Sequence, residues 1–482
     1  MSLIEIKNFI GGEYYIAQSK KVIECFDPST GLVYATIPRS DLADINAAVE
    51  SSKKAFPLWS KTSAEERSRI LHKIADGIDR QLHILAAAES RDQGKPLWLA
   101  ESLDVPRAAA NFRFFANQIL FTNIESNEFS NKAINIVHRK PIGVAGLISP
   151  WNLPLYLLSW KIAPAIAAGN TVVCKPSEIT PFTASLLCQI MKEADLPQGV
   201  VNMVFGLGAE AGEALVKHPQ VPVISFTGGT NTGRHLNSTA APLLKKVSLE
   251  LGGKNANLIF ADADLEDAVS TSIRSSFLNQ GEICLCGSRI FVEKSIYPTF
   301  LARFVEETRL LKVGDPSQKE NFLGALVSLS HFQKVKSYVE LAEKEGGKIE
   351  TGKEELNLSE KFRNGYFMRP TVITGLSPKS RVMQEEIFGP VVTVTPFETE
   401  DEARILTNAV DYGLSASLWT KDIQRIHRLG HSLDVGTLWV NSWMIRDLRA
   451  PFGGMKMSGL GREGGLHSLE FFTEPTNLCI KY

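Results

Sequence analysis

The chain has 482 residues, of which 44% are hydrophobic and 22% charged, and a formal net charge of -1. That length exceeds what one core covers, so two or three domains are expected, and near-neutral charge without a basic run excludes an electrostatic nucleic-acid binder. Its 6 cysteines are too few and too scattered for a disulfide scaffold and suit a reducing, cytoplasmic setting.

The opening MSLIEIKNFIGGEYY has no basic stretch leading into an apolar core, so no signal peptide is expected. The first hundred residues read as a hairpin followed by helices. Ser63 and Glu66 are spaced as a capping box ahead of the helical pattern RSRILHKIADGI. From about residue 142, β-rich runs alternate with helical ones: VAGLIS, WKIAPAIAAG, TVVCKP, TASLLCQIMKEA, VVNMVFG, AGEALVKH and VISFTGG. The alternation predicts an α/β fold with a parallel, doubly wound sheet. Lys161 and Pro164 interrupt the most apolar stretch, LPLYLLSWKIAPAIAAG. A membrane span needs about 20 clean apolar residues, so this stretch reads as buried core. A second alternating region, from about 251 to 450, carries NLIF, RIFVE, PTVIT and GTLWVN, and the closing TNLCIKY alternates as a strand.

Four stretches bear on chemistry. Gly206-Leu-Gly208 followed by Gly212 is one residue too long for a dinucleotide fingerprint. The strand VISF followed by Thr227-Gly228-Gly229 and a helix is the better phosphate site, although an ordinary glycine turn has the same pattern. Lys175-Pro176-Ser177-Glu178 follows the strand TVVC, where an acid can take a ribose diol and repel a 2′-phosphate, which favours NAD over NADP; a solvated charged turn reads equally well. In NQGEICLCGS, Cys284 and Cys286 form a single C-x-C with no histidine between His235 and His331, which is poor for zinc. A nucleophilic thiol with a carboxylate base is what remains, and Glu250 in SLELGGKN is the best partner.

With these residues in place, the chain resembles the aldehyde dehydrogenase superfamily over nearly all its length. The resemblance is carried by PWNLP (150–154), KPSE (175–178), FTGG-x-x-x-G (226–233), ELGGK (250–254), NQGEICLCGSR (279–289), EEIFGP (385–390) and PFGGMKMSGLGRE (451–463). It implies Cys284 as nucleophile with Cys286 a bystander, an oxyanion held by the Asn152 amide and the Cys284 N–H, Glu250 as the base that activates hydrolytic water, and Lys161 with Glu463 as a proton relay. It implies NAD as cofactor and no metal. Trp151, Lys175, Ser177, Glu178, Gly228, Gly229, Gly233, Glu386 and Phe388 fall on cofactor-contact positions. Gly229 departs from the family, which often has Ser there, so the pyrophosphate contact would come from backbone N–H alone.

Within the superfamily the likeness is to the group acting on 2-aminomuconic and 2-hydroxymuconic semialdehydes, carried by DVPRAAANFRFFA (104–116), ISPWNLPLYLLSWKIAPA (148–165) and VNSWMIRDLRAPFGG (440–454). This implies a semialdehyde with a far carboxylate held by Arg107 and Arg446, with Arg113 and Arg449 as nearby competitors, and a tunnel lined by Leu155, Tyr156 and Trp443. The alternative is another aldehyde: retinal, betaine or aliphatic. The fold implied has two doubly wound domains and a β arm: an NAD-binding domain over 1–120 and 141–250, a catalytic domain over 251–450, and an oligomerisation arm over 121–140 and 468–482. A cytoplasmic homodimer or homotetramer follows.

Overall fold

Strands buried on both faces read as unbroken apolar, β-branched runs, and the central strands of this chain are such runs. A computed structural model describes residues 3–482. In its first sheet, five parallel strands lie in the order Lys246–Glu250, Val223–Thr227, Val144–Ile148, Thr171–Lys175, Val201–Met203. The hairpin Asn8–Ile10 and Glu13–Tyr15 closes one edge, and Gly459–Leu460 closes the other antiparallel to Lys246–Glu250. From Val144–Ile148 the chain steps outward twice, then returns to the other side to lay down Val223–Thr227. That reversal opens a crevice at the carboxyl ends of the strands, where α/β sheets of this kind bind ligands.

A second sheet carries six parallel strands in the order Thr371–Thr374, Val391–Phe397, Gly287–Glu293, Asn255–Ile259, Ser415–Trp419, Thr437–Val440, with Lys348–Thr351 antiparallel at the edge. The sequence patterns left Val391–Phe397 and Ser415–Trp419 unread as strands. A separate antiparallel sheet joins Thr473–Lys481, Ala133–Pro141 and Ser126–Phe129.

Helix Pro154–Ala167 starts on a proline, which needs no N–H partner at that position, and every one of its residues is buried. The capping box expected at Ser63 forms only in half. The Ser63 hydroxyl accepts from the Glu66 N–H at 3.2 Å, but the Glu66 carboxylate turns outward to Arg69, one turn on. Both halves form instead at Asp41 and Asp44, where helix Leu42–Trp59 begins.

Candidate active site

The loop carrying the two cysteines runs from the end of helix Leu265–Phe277 to strand Gly287–Glu293. Asn279, Gln280 and Gly281 are all left-handed, with φ of 54°, 56° and 71°. A side chain at Gly281 would place its Cβ 2.2 Å from the Gly389 carbonyl oxygen, so only glycine fits. Three successive residues in a sparsely populated region persist only when neighbours fix them. Here the Gln280 amide donates to Gln93 Oε1 and to the Ala325 carbonyl, each at 3.3 Å, and further along the loop Asn255 Nδ2 donates to the carbonyls of Cys284 at 2.7 Å and Cys286 at 2.9 Å.

Cys284 is half-buried and opens into a cavity of about 260 Å³ that Asn152, Glu250 and Glu386 also line. Cys286 is buried among apolar side chains. Burial, with the carboxylates of Glu250 and Glu386 nearby, pushes the Cys284 thiol up to about 12, against the pull of Arg446. The same cavity acts on Glu250, which ends its strand. Burial first, then the charge of Glu463, holds its carboxyl well above the usual carboxylate range, and Oε1 has no hydrogen-bond partner. Behind it Lys161 Nζ donates to Glu463 at 3.0 Å and to Ser225 Oγ at 2.9 Å, and Ser225 Oγ donates to Glu463 at 3.2 Å. Lys161 and Glu463 therefore meet as a buried pair, joined by Ser225, which sequence reading missed. The Asn152 amide donates one N–H to the Glu282 carbonyl at 2.9 Å, which orients it beside the thiol and leaves its second N–H unused.

The residues expected to hold a dinucleotide gather at the carboxyl ends of adjacent parallel strands. Trp151 follows Val144–Ile148, Lys175 ends its strand, Gly228 follows Val223–Thr227, and Glu250 ends Lys246–Glu250. Lys175 Nζ pairs with Glu178 at 2.6 Å. Burial raises the Glu178 carboxyl, but Lys175 and the Gly208 N–H outweigh it and hold it below its ordinary value. Ser177 Oγ is engaged locally, accepting from the Ile179 N–H at 3.2 Å. Gly229 is the N-cap of helix Thr230–Ala240 and makes no side-chain cap, so the first N–H groups of that helix stay free for an anion. Gly233 lets the helix touch the sheet, since a Cβ there would sit 2.4 Å from Leu251 Cδ2.

At the far end Glu386 Oε1 accepts from the Gly253 N–H at 2.9 Å, and a Cβ at Gly252 would strike its carboxyl group. Trp151 meets Phe388 edge-on at 5.2 Å. The residues present therefore fit a dinucleotide: a bare helix N-terminus for phosphate, an acid at each end for ribose, and a thiol between. His331 and Lys334 line the same cavity and were not read from the sequence. His331 Nε2 bonds the Phe388 carbonyl at 2.6 Å, and burial pushes its imidazole down to about 4.

Near enough to act on the thiol, the Arg446 guanidinium lies 4.4 Å over the Trp160 ring and 4.4 Å over Phe452. Its Nη1 donates to the Tyr156 hydroxyl, while Nη2 is sealed from solvent with no partner. Arg107 approaches the same tyrosine from its own helix, 5.5 Å from the ring centroid. Arg113 and Arg449 are occupied elsewhere: Arg113 pairs with Asp76 and Asp79, and Arg449 with Asp447. Trp443 donates its indole N–H to the Leu285 carbonyl at 2.9 Å and packs with Tyr156 in one apolar cluster. Leu155 lies apart from these side chains. It is fully buried in the core beneath the first sheet, whereas Leu157 lines the cavity beside the thiol. Residues two apart on a helix point to nearly opposite faces.

Comparison with known proteins agrees with this geometry. Residues 15–478 match the Aldehyde dehydrogenase family. The chain is 53% identical over 485 residues to the 2-aminomuconic semialdehyde dehydrogenase of Danio rerio, covering 100% of this chain and 99% of that one. It is 45% identical to the 2-hydroxymuconic semialdehyde dehydrogenase of Pseudomonas sp. (strain CF600), covering 99% of each. The NAD+ complex of an aldehyde dehydrogenase from Bacillus cereus superimposes with a TM-score of 0.96 at 38% identity, covering 99% of this chain and 96% of that one.

Proposed function

The chain belongs to the aldehyde dehydrogenase family, and from that premise we propose that it uses NAD to oxidise a semialdehyde bearing a carboxylate at its far end, 2-aminomuconate or 2-hydroxymuconate 6-semialdehyde, to the dicarboxylic acid. The observation that carries the substrate class is the unpartnered, buried Nη2 of Arg446. An unmet buried guanidinium N–H costs about 1–3 kcal/mol, and an anionic group of a substrate would satisfy it. A carboxylate seated there lies across Tyr156 from Arg107, and two cations disfavour a cationic or uncharged aldehyde.

In this reading the Cys284 thiol gives its proton to solvent in the crevice, and the thiolate Sγ adds to the aldehyde carbon. The new oxyanion takes hydrogen bonds from the free Asn152 N–H and the Cys284 N–H. A bound nicotinamide supplies the hydride acceptor and a positive charge beside the thiol. With that acceptor bound, the tetrahedral carbon would give up hydride and become a thioester on Cys284. Glu250 then takes a proton from water as that water attacks the thioester, the C–S bond breaks to release the acid and the Cys284 thiolate, and Lys161, Ser225 and Glu463 lie behind Glu250 to pass the proton on. Lys175, Glu178 and Glu386 hold the two riboses, and the free N–H groups at Gly229 and Thr230 hold the pyrophosphate.

All six cysteines are free, and no helix among the described residues is long and apolar enough to cross a membrane. The free cysteines suit a reducing, cytoplasmic setting, and the exposed apolar side chains of the three-stranded sheet, among them Phe129, Leu478 and Ile480, support assembly into a dimer or tetramer. The test is NADH formation from 2-hydroxymuconic semialdehyde against a panel of neutral and cationic aldehydes, with Cys284→Ala as control. The substrate assignment fails if hexanal or betaine aldehyde is turned over with an equal kcat/KM.

A further inference from the structure

Beneath the Pro150–Pro154 turn lies a charge cluster that no step above uses. Lys95, Glu89 and Asp104 are all fully buried. Lys95 Nζ lies 2.7 Å from Asp104 Oδ2 and 3.8 Å from Glu89 Oε1, and it donates to the Asn152 carbonyl oxygen at 3.2 Å. Glu89 accepts from the Leu155 N–H at 3.4 Å, capping a helix whose own N-cap residue offers no side chain. Asp104 ends a π-turn over Ala100–Asp104, an irregularity frequent at functional sites.

The local chain is shaped to deliver this lysine. Helix Leu82–Gln93 ends on Gly94 in the left-handed region, with φ of 86°. A Cβ at Gly94 would lie 2.5 Å from the Ala325 carbonyl oxygen, so the turn that aims Lys95 inward accepts only glycine. Gln93, just before it, donates to the Glu282 carboxylate. One short segment thus grips Glu282 with Gln93 and Asn152 with Lys95. These are the two residues whose mutual hydrogen bond, Asn152 Nδ2 to the Glu282 carbonyl, sets the amide beside the thiol. Asn279 Nδ2 closes the ring by donating to the same Asn152 carbonyl at 3.2 Å.

A buried ammonium with two carboxylates is weak evidence for stability, because apolar residues of the same volume serve the fold as well or better. Lys95 does not line the cavity, so it does not meet substrate. We propose that Lys95 is a positioning residue for Asn152: by holding the Asn152 backbone carbonyl from below, it fixes the amide where the oxyanion forms, and Asp104 and Glu89 hold the lysine in place. This rests on the aldehyde oxidation proposed above.

The test is a double-mutant cycle of Lys95→Met and Asn152→Ala, read as the single-turnover rate of NADH formation at saturating NAD and aldehyde. Asn152→Ala alone should lower the rate about 10²–10³-fold, the usual loss for one oxyanion donor. Lys95→Met should lower it at least about tenfold while the dissociation constant for NAD stays within about twofold. The double variant should be no slower than Asn152→Ala by more than about twofold, because the lysine acts only through that amide. Losses that multiply, a Lys95→Met rate within twofold of wild type, or a parallel loss of NAD affinity would overturn the inference. If Lys95→Met does not fold, Asp104→Asn goes through the same cycle, since it keeps the side-chain shape while removing the lysine's charged partner. A normal rate in that variant, or losses multiplying with Asn152→Ala, overturns the inference equally. A wild type that forms no NADH from any aldehyde overturns the underlying reading, and Lys95's role with it.

Discussion

Replacing Arg446 with methionine isolates the far-carboxylate contact. The methionine keeps much of the contact with Trp160 and Phe452 but removes the fork whose Nη2 is buried and unpaired. Removing one partner of a buried, hydrogen-bonded charge pair costs about 2–5 kcal/mol. At about 1.4 kcal/mol per tenfold, kcat/KM for 2-hydroxymuconic semialdehyde should fall roughly 30- to 3,000-fold. Arg446 also pulls down the pKa values of Cys284 and Glu250, so its loss slows every substrate to some degree. The deciding quantity is therefore a ratio: kcat/KM for the carboxylated semialdehyde over that for an uncharged aldehyde such as hexanal, both followed as NADH absorbance. That ratio should collapse in Arg446→Met and hold in Arg113→Ala and Arg449→Ala, whose guanidinium groups are bound to Asp76, Asp79 and Asp447. An equal fall for both aldehydes would show that the arginine acts only through the thiol and base, and the carboxylate assignment would be wrong.

Four other outcomes follow from the geometry. In the ligand-free protein the Cys284 thiol, pushed up to about 12, should react with iodoacetamide about tenfold faster per pH unit from neutrality upward; a plateau near pH 8 would contradict it. Glu250→Gln should give one burst of NADH per site and then stall, with steady-state turnover down about 10²–10⁴-fold. Because burial raises the Glu250 carboxyl, its base form appears only as pH climbs above the ordinary carboxylate range, so wild-type turnover should rise with pH there and the variant's should not. Gly229→Ser places a side chain where no atom lies within 4 Å, at φ of -70°, so nothing opposes it. Its hydroxyl caps the helix and meets the pyrophosphate: stability should gain a few tenths of a kcal/mol, and calorimetry should show NAD binding tightened about two- to fivefold, with weaker binding arguing against a pyrophosphate there. Gly281→Ala, at φ of 71° and in collision with Gly389, should cost more than about 3 kcal/mol and lower Tm markedly; an unchanged Tm would mean the loop is not held as described.

Much of this site is legible residue by residue because its chemistry lies at strand ends and tight turns, where short-range sequence dictates conformation. Glu250, Lys175 and Gly228 each follow or end an apolar run, and Cys284 lies in a glycine-flanked loop just before one, so each reaches the crevice. His331 and Lys334 escape such reading because they sit on helix Leu329–Lys344, with no local pattern to mark them. Ser225 escapes because a buried hydroxyl in an apolar strand looks like packing. That Leu157 and not Leu155 reaches the cavity is likewise not readable locally, because helix phase relative to a cavity depends on what packs against the helix.

By itself, then, the order of apolar runs, glycines and strand-end acids determined a doubly wound α/β chain with a thiol and a carboxylate at one crevice, since backbone period and turn chemistry are local properties. Only the tertiary structure decided that Arg446 keeps an unmet N–H beside Tyr156 while Arg113 and Arg449 are spent on surface pairs, and that Lys95 lies under Asn152. Those facts are distances between residues far apart in the chain, and burial and charge pairing arise only when the packed domains bring them together.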